Sequence, residues 1–210
     1  EINSFFVPPG PFDESLSVGA AFMAFKSIQE NTNIYFKTPY LGTSYNKEFV
    51  KKHLEKNPDD SLNIKEVKLS EVAILLAQGE IIGWFNGKME FGSRALGSRS
   101  IIANASEIKV IKKINELVKR RDFWMPFAPS ILSYRSKDYI INPKNIEAKW
   151  MTLGFESTEL AKQEIIAALH PYDSTLRPNI VFKEDNKDYF DLISEFEKIT
   201  GIGGILNTSF

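Results

Sequence analysis

Residues 81–100 read IIGWFNGKMEFGSRALGSRS, an apolar run followed by a loop rich in glycine, serine and arginine. The run at 81–85 is short and almost wholly apolar, which predicts a core strand. The loop at 87–100 holds three glycines, two arginines and three serines. Glycine lets backbone N–H groups approach an anion, and arginine donates paired hydrogen bonds to phosphate or carboxylate oxygens. The stretch therefore indicates an anion-binding loop, with a tight turn and solvated arginines as the open alternative.

Strands and helices alternate after this loop. Apolar residues recur at helical spacing over 107–119, which predicts an amphipathic helix. Further patterns predict strands at 127–132, 151–155, 180–182 and 204–207, and helices at 159–169 and 187–199. Such alternation indicates an α/β (α+β) fold, in which helices cover a twisted mixed sheet.

The region before the loop is less regular. We expect helices at 16–29, 46–55 and 71–78, the last with Ser70 as its N-cap. Residues 64–69 alternate apolar and charged side chains, which predicts a half-buried strand. Residues 31–44 are rich in Asn, Thr, Pro and Gly and resemble a linker.

Composition narrows the class of protein. Lys and Arg total 26 against 27 Asp and Glu, and a near-neutral balance argues against a dedicated nucleic-acid or membrane-surface binder. No apolar run approaches the ~20 residues that cross a bilayer, and no signal peptide is visible. The absence of cysteine excludes disulfides and cysteine nucleophiles and fits a cytoplasmic protein. We expect a cytoplasmic protein without nucleic-acid or membrane partners.

Three other groups of polar residues are candidates for a site. Residues 119–121 read KRR at a helix end, where the helix dipole alone can explain cations. Residues 170–177 hold His170 and Arg177, of which Arg177 could contact an anion at a strand start. Residues 207–209 read NTS at a strand end, a favoured ligand position in α/β sheets.

Taken together, these segments resemble the C-terminal domain of the NodU/CmcH-type O-carbamoyltransferases. In that family the loop reads close to M-E-F-G-P-R-A-L-G-x-R-S, and residues 89–100 match it with Ser93 in place of proline. Other matches follow in the family's order, at residues 7–21, at Asn115, Lys119, Arg121 and Asp122, and at 126–130, 173–179 and 207–210. The resemblance covers essentially the whole chain.

The resemblance implies two domains. Residues 1–36 would be the tail of an actin-like transfer domain, and 37–210 a carbamoyl-adenylate-forming domain similar to YrdC and the threonylcarbamoyl-adenylate synthases. That domain would bind carbamoyl phosphate and ATP with Mg²⁺, and the carbamoyl group would pass to a hydroxyl of a sugar or natural product. Both ends of the sequence suggest a fragment, which we expect to be inactive in the full reaction. A homodimer is a further expected assembly.

Roles for single residues also come from the resemblance. Arg94 and Lys119 would be catalytic, contacting carbamoyl phosphate or the triphosphate. The nucleotide pocket would be lined by Arg99, Ser100, Arg121, Arg177, Asn207 and Ser209. Asp13 matches a metal ligand of the transfer site, where Fe²⁺ or another divalent metal would bind in the full-length protein.

Two departures from the family pattern bear on activity. Met125 stands where the family has a phosphate-binding arginine, so a nearby arginine substitutes for it or activity is weakened, altered or lost. Ser174 replaces a glycine, which matters if the backbone there needs a positive φ. Two alternatives therefore remain: a non-catalytic module that binds nucleotide or phosphate, and an RNA-modification enzyme of the threonylcarbamoyl-adenylate type.

Overall fold

The computed structural model describes residues 7–29, 36–119, 122, 124–147 and 149–210, with the backbone alone at 117 and 119. The helices are α1 (Glu14–Ile28), α2 (Lys47–Lys56), α3 (Leu69–Ala77), α4 (Lys109–Ile114), α5 (Ser136–Tyr139), α6 (Glu159–Glu164) and α7 (Lys187–Thr200). The strands are β1 (Ile82–Phe85), β2 (Arg99–Ala103), β3 (Ala128–Leu132), β4 (Ile140–Ile141), β5 (Glu156–Ser157), β6 (Asn179–Val181) and β7 (Gly204–Ser209). A π-helical segment, Asn115–Lys119, continues α4, and short 3-10 turns lie at Ser133–Arg135 and Ile166–Ala168.

Five strands form one mixed sheet in the order β1-β2-β7-β3-β6. The β3–β6 pair is parallel and the other pairs are antiparallel. β4 and β5 form a separate antiparallel pair. The protein therefore has the α/β fold with a mixed sheet and covering helices that the sequence predicts.

The core lies on both faces of the sheet because successive strand residues point to opposite faces. On one face, α3 and α7 pack over a cluster that includes Trp84, Ile102, Leu132 and Ile205. On the other, α4 and α6 cover a cluster that includes Ala103, Ile131, Ile180 and Leu206. Complete burial of one large aliphatic side chain contributes about 1.5–3 kcal/mol, so these two clusters dominate the stability of the fold.

Several expected elements are wrong or incomplete. Residues 64–69 do not form a strand: 62–68 are irregular and α3 begins at Leu69, with Lys68 rather than Ser70 as its N-cap. Residues 151–155 are also irregular, apart from a single bridge between Phe155 and Leu176. β2 was not expected, because its polar start belongs to the glycine-rich stretch.

The strand directions bring the polar segments to one end of the sheet, which we call the loop end. β1 and β7 finish there, and β2, β3 and β6 begin there. The loop before β2, the segment before β3, the turn before β6 and the end of β7 consequently meet. We call the opposite end the far end.

Two broader expectations concern membrane-spanning segments and the domain boundary. Among the described residues, no helix combines the length and apolarity needed to cross a membrane. Part of the expected linker, residues 31–35, lies outside the described residues, so the boundary between 1–36 and 37–210 stays a prediction.

Candidate functional site

Glu90 organises the loop between β1 and β2. Its carboxylate is fully buried and its Oε1 accepts the backbone N–H groups of Leu96 at 2.5 Å and of Ser98 and Arg99 at 3.3 Å. Hydrogen bonds to a charged acceptor are among the stronger ones in proteins. The loop therefore does bind an anion through its backbone, as its composition suggested, but that anion is its own glutamate.

Arg99 closes the same loop from the outside. Its Nε donates to Glu90 Oε2 at 3.1 Å, and its Nη2 donates to the carbonyl oxygens of Glu90 at 2.7 Å and Gly92 at 3.2 Å. These contacts give the guanidinium a role in holding the loop. The nucleotide contact expected for Arg99 stays a prediction.

Gly97 fixes the loop against α7. Its φ is +100°, and a Cβ there would lie 2.1 Å from Tyr189 Cδ1, so only glycine fits. The carbonyl oxygen of Gly97 accepts from Trp84 Nε1 at 2.8 Å and from Asn186 Nδ2 at 3.2 Å. Its N–H donates to Ser100 Oγ at 3.1 Å, which gives the buried Ser100 a bond inside the loop.

Arg94 lies at the tip of the loop, facing the start of α1. Its guanidinium carbon stands 4.9 Å from the centre of the Phe12 ring, a cation–π contact. The neighbouring Ser93 N–H donates to Glu14 Oε1 at 3.3 Å. The loop tip thus packs against Phe12 and Glu14, the residues on either side of Asp13. Arg94 and Asp13, which were expected at different sites, therefore belong to segments that are in contact.

Asp13 does not complete a metal site with the side chains that are described. It is exposed at the start of α1, and its side chain makes no capping hydrogen bond there. Within residues 7–29, 36–119, 122, 124–147 and 149–210, no three His, Cys, Asp or Glu side chains cluster as metal ligands would. The described residues do not supply three such ligands by themselves, and the assignment of Asp13 stays a prediction.

The end of β7 supplies Asn207 and Ser209. Asn207 is completely buried, and its Nδ2 donates to the carbonyl oxygen of Ala95 at 2.8 Å. Its Oδ1 is buried without a hydrogen-bond partner among the described residues. Ser209 is half-buried and lines a cavity of about 140 Å³, together with Phe85, Ser93, Ala95, Arg99 and Phe210.

The turn before β6 carries Arg177. Asp173 Oδ1 accepts from the N–H of Thr175 at 2.9 Å and from its hydroxyl at 2.8 Å, and these bonds lower the pKa of the Asp173 carboxyl. Ser174 adopts φ +59°, so the backbone does need the left-handed conformation for which the family's glycine is suited. Arg177 follows this hydrogen-bonded turn and is exposed at the loop end.

The side chains of two expected site residues, Lys119 and Arg121, are not among the described parts of the chain. The backbone of Lys119 ends the π-helical segment, a distortion that recurs at functional sites, but the position of its side chain is not described. Arg121 lies outside the described residues. Met125, where the family has arginine, is 47% exposed just before β3, so a charged side chain could stand there without a burial cost.

The sequence analysis missed several residues that shape the site. Glu90, Trp84, Asn186 and Tyr189 all hold the loop, and the Tyr40 hydroxyl donates to the carbonyl oxygen of Leu96 at 2.8 Å. Burial raises the pKa of the Tyr40 hydroxyl above its ordinary value and keeps it a neutral donor. The sequence analysis assigned no role to Glu90, although it is the only carboxylate within the glycine-rich stretch 87–100.

Comparison with known proteins is consistent with this geometry. The family described as Carbamoyltransferase C-terminus matches residues 73–210. That range contains the loop and all five strands of the main sheet.

Relatives of known sequence match over almost the entire chain. A protein of Methanocaldococcus jannaschii is 35% identical over 98% of this chain and 34% of its own length. Nodulation protein NolO of Bradyrhizobium diazoefficiens is 31% identical over 99% of this chain and 38% of its own. Nodulation protein U of Azorhizobium caulinodans is 30% identical over 97% and 34%. The chain thus spans between a third and two fifths of the length of these relatives.

One solved structure, full-length HypF in a phosphate- and nucleotide-bound form, aligns with 70% of this chain and 18% of its own. Its sequence identity is 16% and its TM-score 0.43.

Proposed function

Because this chain belongs to the carbamoyltransferase C-terminus family, we propose that its loop end binds carbamoyl phosphate and ATP and forms carbamoyl-adenylate. The observation that carries the proposal is the meeting of the glycine-rich loop, the turn with Arg177 and the end of β7 at one end of the sheet. In the complete protein the carbamoyl group would then pass to a hydroxyl of a sugar or other natural product.

The chemistry sets what the site has to supply. Carbamoyl phosphate, ATP and water become carbamoyl-adenylate, pyrophosphate and phosphate. Water first cleaves carbamoyl phosphate to carbamate and phosphate. A carbamate oxygen then bonds to the α-phosphorus of ATP, while the bond from that phosphorus to the oxygen bridging to the β-phosphate breaks and pyrophosphate leaves. Negative charge is present on both substrates and grows on the leaving pyrophosphate, so fixed cations and hydrogen-bond donors favour the transition state.

Arginine side chains at the loop end are candidates for the fixed cations that the reaction requires. Arg94 is carried by a loop held by hydrogen bonds to Glu90 and by the packing of Gly97 on Tyr189, and Arg177 follows a hydrogen-bonded turn. A donor fixed before the substrate arrives costs no reorganisation during the reaction. We assign Arg94 to the charge of carbamoyl phosphate or the triphosphate, and Lys119 to the same role.

The cavity beside Ser209 is small and partly open. Its volume is about 140 Å³, and Arg99 and Ser209 contribute to its lining. A small anion such as carbamoyl phosphate would fit there, and a nucleotide would extend from it along the surface. Mg²⁺ would arrive with the triphosphate, and its charge would add to that of the arginines.

Pyrophosphate release tests the proposal. The complete protein is expected to release pyrophosphate only when both ATP and carbamoyl phosphate are present. Arg94→Ala should lower the rate about 100-fold, as the loss of one fixed transition-state donor does in other enzymes. Lys198→Ala, which removes an exposed cation near the C-terminal end of α7, is the matched control and should change nothing. Full activity in the Arg94 variant would refute the assignment.

A module that binds nucleotide without turnover is the second candidate, favoured by Met125. If that reading holds, calorimetry will show tight ATP binding while no pyrophosphate forms. Met125→Arg would then raise activity from none to measurable, because the exposed position accepts a charge. Pyrophosphate release by the unaltered protein would eliminate this candidate.

The chain alone is expected to complete no O-carbamoylation. Its described side chains form no metal cluster, and it spans only about a third of the length of its relatives. Transfer of labelled carbamoyl groups to any hydroxyl acceptor by residues 1–210 alone would contradict the assignment of transfer to the preceding domain.

A further inference from the structure

A row of exposed rings runs from the loop-end cavity along α2, formed by Phe85, Tyr45, Phe49 and His53. Ring centres are 6.5 Å apart between Phe85 and Tyr45 and 4.9 Å apart between Tyr45 and Phe49. The rings of Phe49 and His53 are stacked at 6.4 Å. We call these four residues the aromatic row.

Packing of the fold does not account for the aromatic row. Phe85, Tyr45 and Phe49 are 51%, 48% and 52% exposed, although aromatic rings of this size favour burial. Adjacent exposed apolar residues of this kind mark binding surfaces more often than scattered single ones do. The row therefore calls for a ligand with a planar apolar surface.

The row is continuous with the site proposed above. Phe85 is the last residue of β1, pairs with Arg99 across the sheet, and lines the same cavity as Arg99 and Ser209. Phe210 lines that cavity as well, and its ring lies over β1, since a Cβ on Gly83 would be 3.1 Å from it. The cavity lining consequently combines the polar residues Arg99 and Ser209 with the aromatic residues Phe85 and Phe210.

We propose that the aromatic row is the base-binding surface, on which the purine of ATP stacks while its phosphates point into the loop end. This inference rests on the function proposed above. A small cavity lined by Arg99 and Ser209, continuous through Phe85 with exposed rings, matches a ligand with a charged end and a flat end. Phe85 is the first ring of this surface because it belongs to both the row and the cavity.

Stacking has a recognisable consequence for specificity. Every nucleobase has a flat π-face, so binding by stacking tolerates different bases. GTP should therefore bind to the complete protein within a few fold of ATP. Tripolyphosphate, which has the phosphates and no base, should bind about tenfold more weakly than ATP, within the range that one stacked base contributes.

Calorimetry on the complete protein separates the base from the phosphates. Phe85→Leu keeps an apolar side chain and removes the aromatic face, and it should weaken ATP about tenfold while leaving tripolyphosphate unchanged. Phe85→Trp should retain ATP binding. Tyr134→Ala, at an exposed aromatic residue just after β3 at the far end, is the matched control and should affect neither ligand.

The outcomes distinguish the two proposals. If ATP and tripolyphosphate bind the unaltered protein equally and Phe85→Leu changes neither, the stacking surface is refuted and the phosphate site stands. An equal loss of both ligands in Phe85→Leu would indicate a distorted loop and also refute stacking. If neither ligand binds the unaltered protein, the proposed function itself fails. A Phe85→Leu variant that changes only the oligomeric state would reveal a protein contact surface instead.

Discussion

Each end of the sheet has an arginine that forms ion pairs with carboxylates, but the two groups stabilise different parts of the structure. At the loop end, the buried Glu90 accepts three backbone N–H groups as well as the Arg99 side chain. At the far end, Arg135 pairs with Asp138, Glu164 and Glu197. The first centre shapes a loop, and the second joins helices to each other.

The far end has several redundant contacts. Arg135 follows β3 and reaches α5, α6 and α7 through its three carboxylate partners. The buried Tyr139 hydroxyl donates to Glu164 and accepts the Gly203 N–H, and its pKa is raised by burial and by the hydrogen bond to that carboxylate. Removal of one carboxylate leaves Arg135 with the other two.

The loop end centres on two residues with roles that are not shared. Glu90 alone accepts the three backbone N–H groups of the loop that carries Arg94, and the Tyr189 ring leaves no room for a side chain at Gly97. A change there should disturb both stability and binding, whereas an equivalent change at the far end should affect stability alone. The following variants test that difference, beginning with the largest expected effect.

Gly97→Ala should be the most disruptive change. The new methyl would overlap the buried Tyr189 ring at 2.1 Å, and the backbone at φ +100° is strained for alanine. Overpacking and left-handed strain each cost about 1–3 kcal/mol, so we expect a loss of about 3 kcal/mol or more in urea unfolding. Gly154→Ala, where a Cβ meets nothing within 4 Å, is the control. Equal urea midpoints for the two variants would show that the loop can shift to accommodate the methyl group.

Glu90→Gln should rank second and separates the two ends directly. The amide keeps one acceptor but turns an N–H₂ towards Arg99 Nε, so we expect a loss of about 2–3 kcal/mol and of pyrophosphate release. Glu197→Gln at the far end leaves Arg135 with Asp138 and Glu164 and should cost about 1 kcal/mol with activity intact. Similar losses of stability and activity in both variants would contradict the proposed difference between the loop end and the far end.

Tyrosine hydroxyls give a smaller contrast. Tyr139→Phe leaves the buried Gly203 N–H without its acceptor and should cost about 2 kcal/mol. Tyr189→Phe at the loop end removes a bond to Ser130 Oγ, which keeps the Asn179 amide as a partner, and should cost about 1 kcal/mol. Thermal unfolding measures both, and a costlier Tyr189 variant would mean that the loop end depends on this hydroxyl.

Local patterns predicted the scaffold better than the site. α7 was predicted because Phe190, Ile193 and Phe196 share one helical face, and β7 because its run is apolar. In the structure the buried face of α7 contains Ile193 and Phe196 but Tyr189 instead of Phe190. Residues 64–69 show that alternation alone does not make a strand when no neighbouring strand pairs with it. β2 was hidden because Arg99 and Ser100 at its start read as loop.

The internal role of the loop could not be predicted from its composition. Glycines and arginines indicated an anion site, and nothing local showed that Glu90 would fill it from six to nine residues away. That outcome depends on how the chain reverses between β1 and β2 and on the Tyr189 ring that leaves room only for Gly97. At Ser174, by contrast, the family glycine raised the question of a positive φ, and the structure answers it with φ +59°.

Ser174 gives the smallest test and the most direct comparison of the two ends. At the far end the left-handed position that ends α7 is Gly201, with φ +79°, whereas the turn before Arg177 places a serine at φ +59°. A left-handed residue with a side chain costs about 1–2 kcal/mol relative to its preferred conformation, and glycine pays more entropy on folding. Ser174→Gly should therefore gain about 0.5–1 kcal/mol, and Gly201→Ser should lose a similar amount.

Chemical unfolding measures the change in the free energy of unfolding for both variants. The ATP affinity of Ser174→Gly shows whether the serine contributes to binding. If Ser174→Gly is more stable and binds ATP as tightly as the unaltered protein, the serine is a tolerated strain with no functional part. If it is more stable but binds ATP more weakly, the serine helps to hold Arg177 in place, because glycine gives the turn other conformations. Loss of stability in Ser174→Gly would contradict the assignment of strain to this turn.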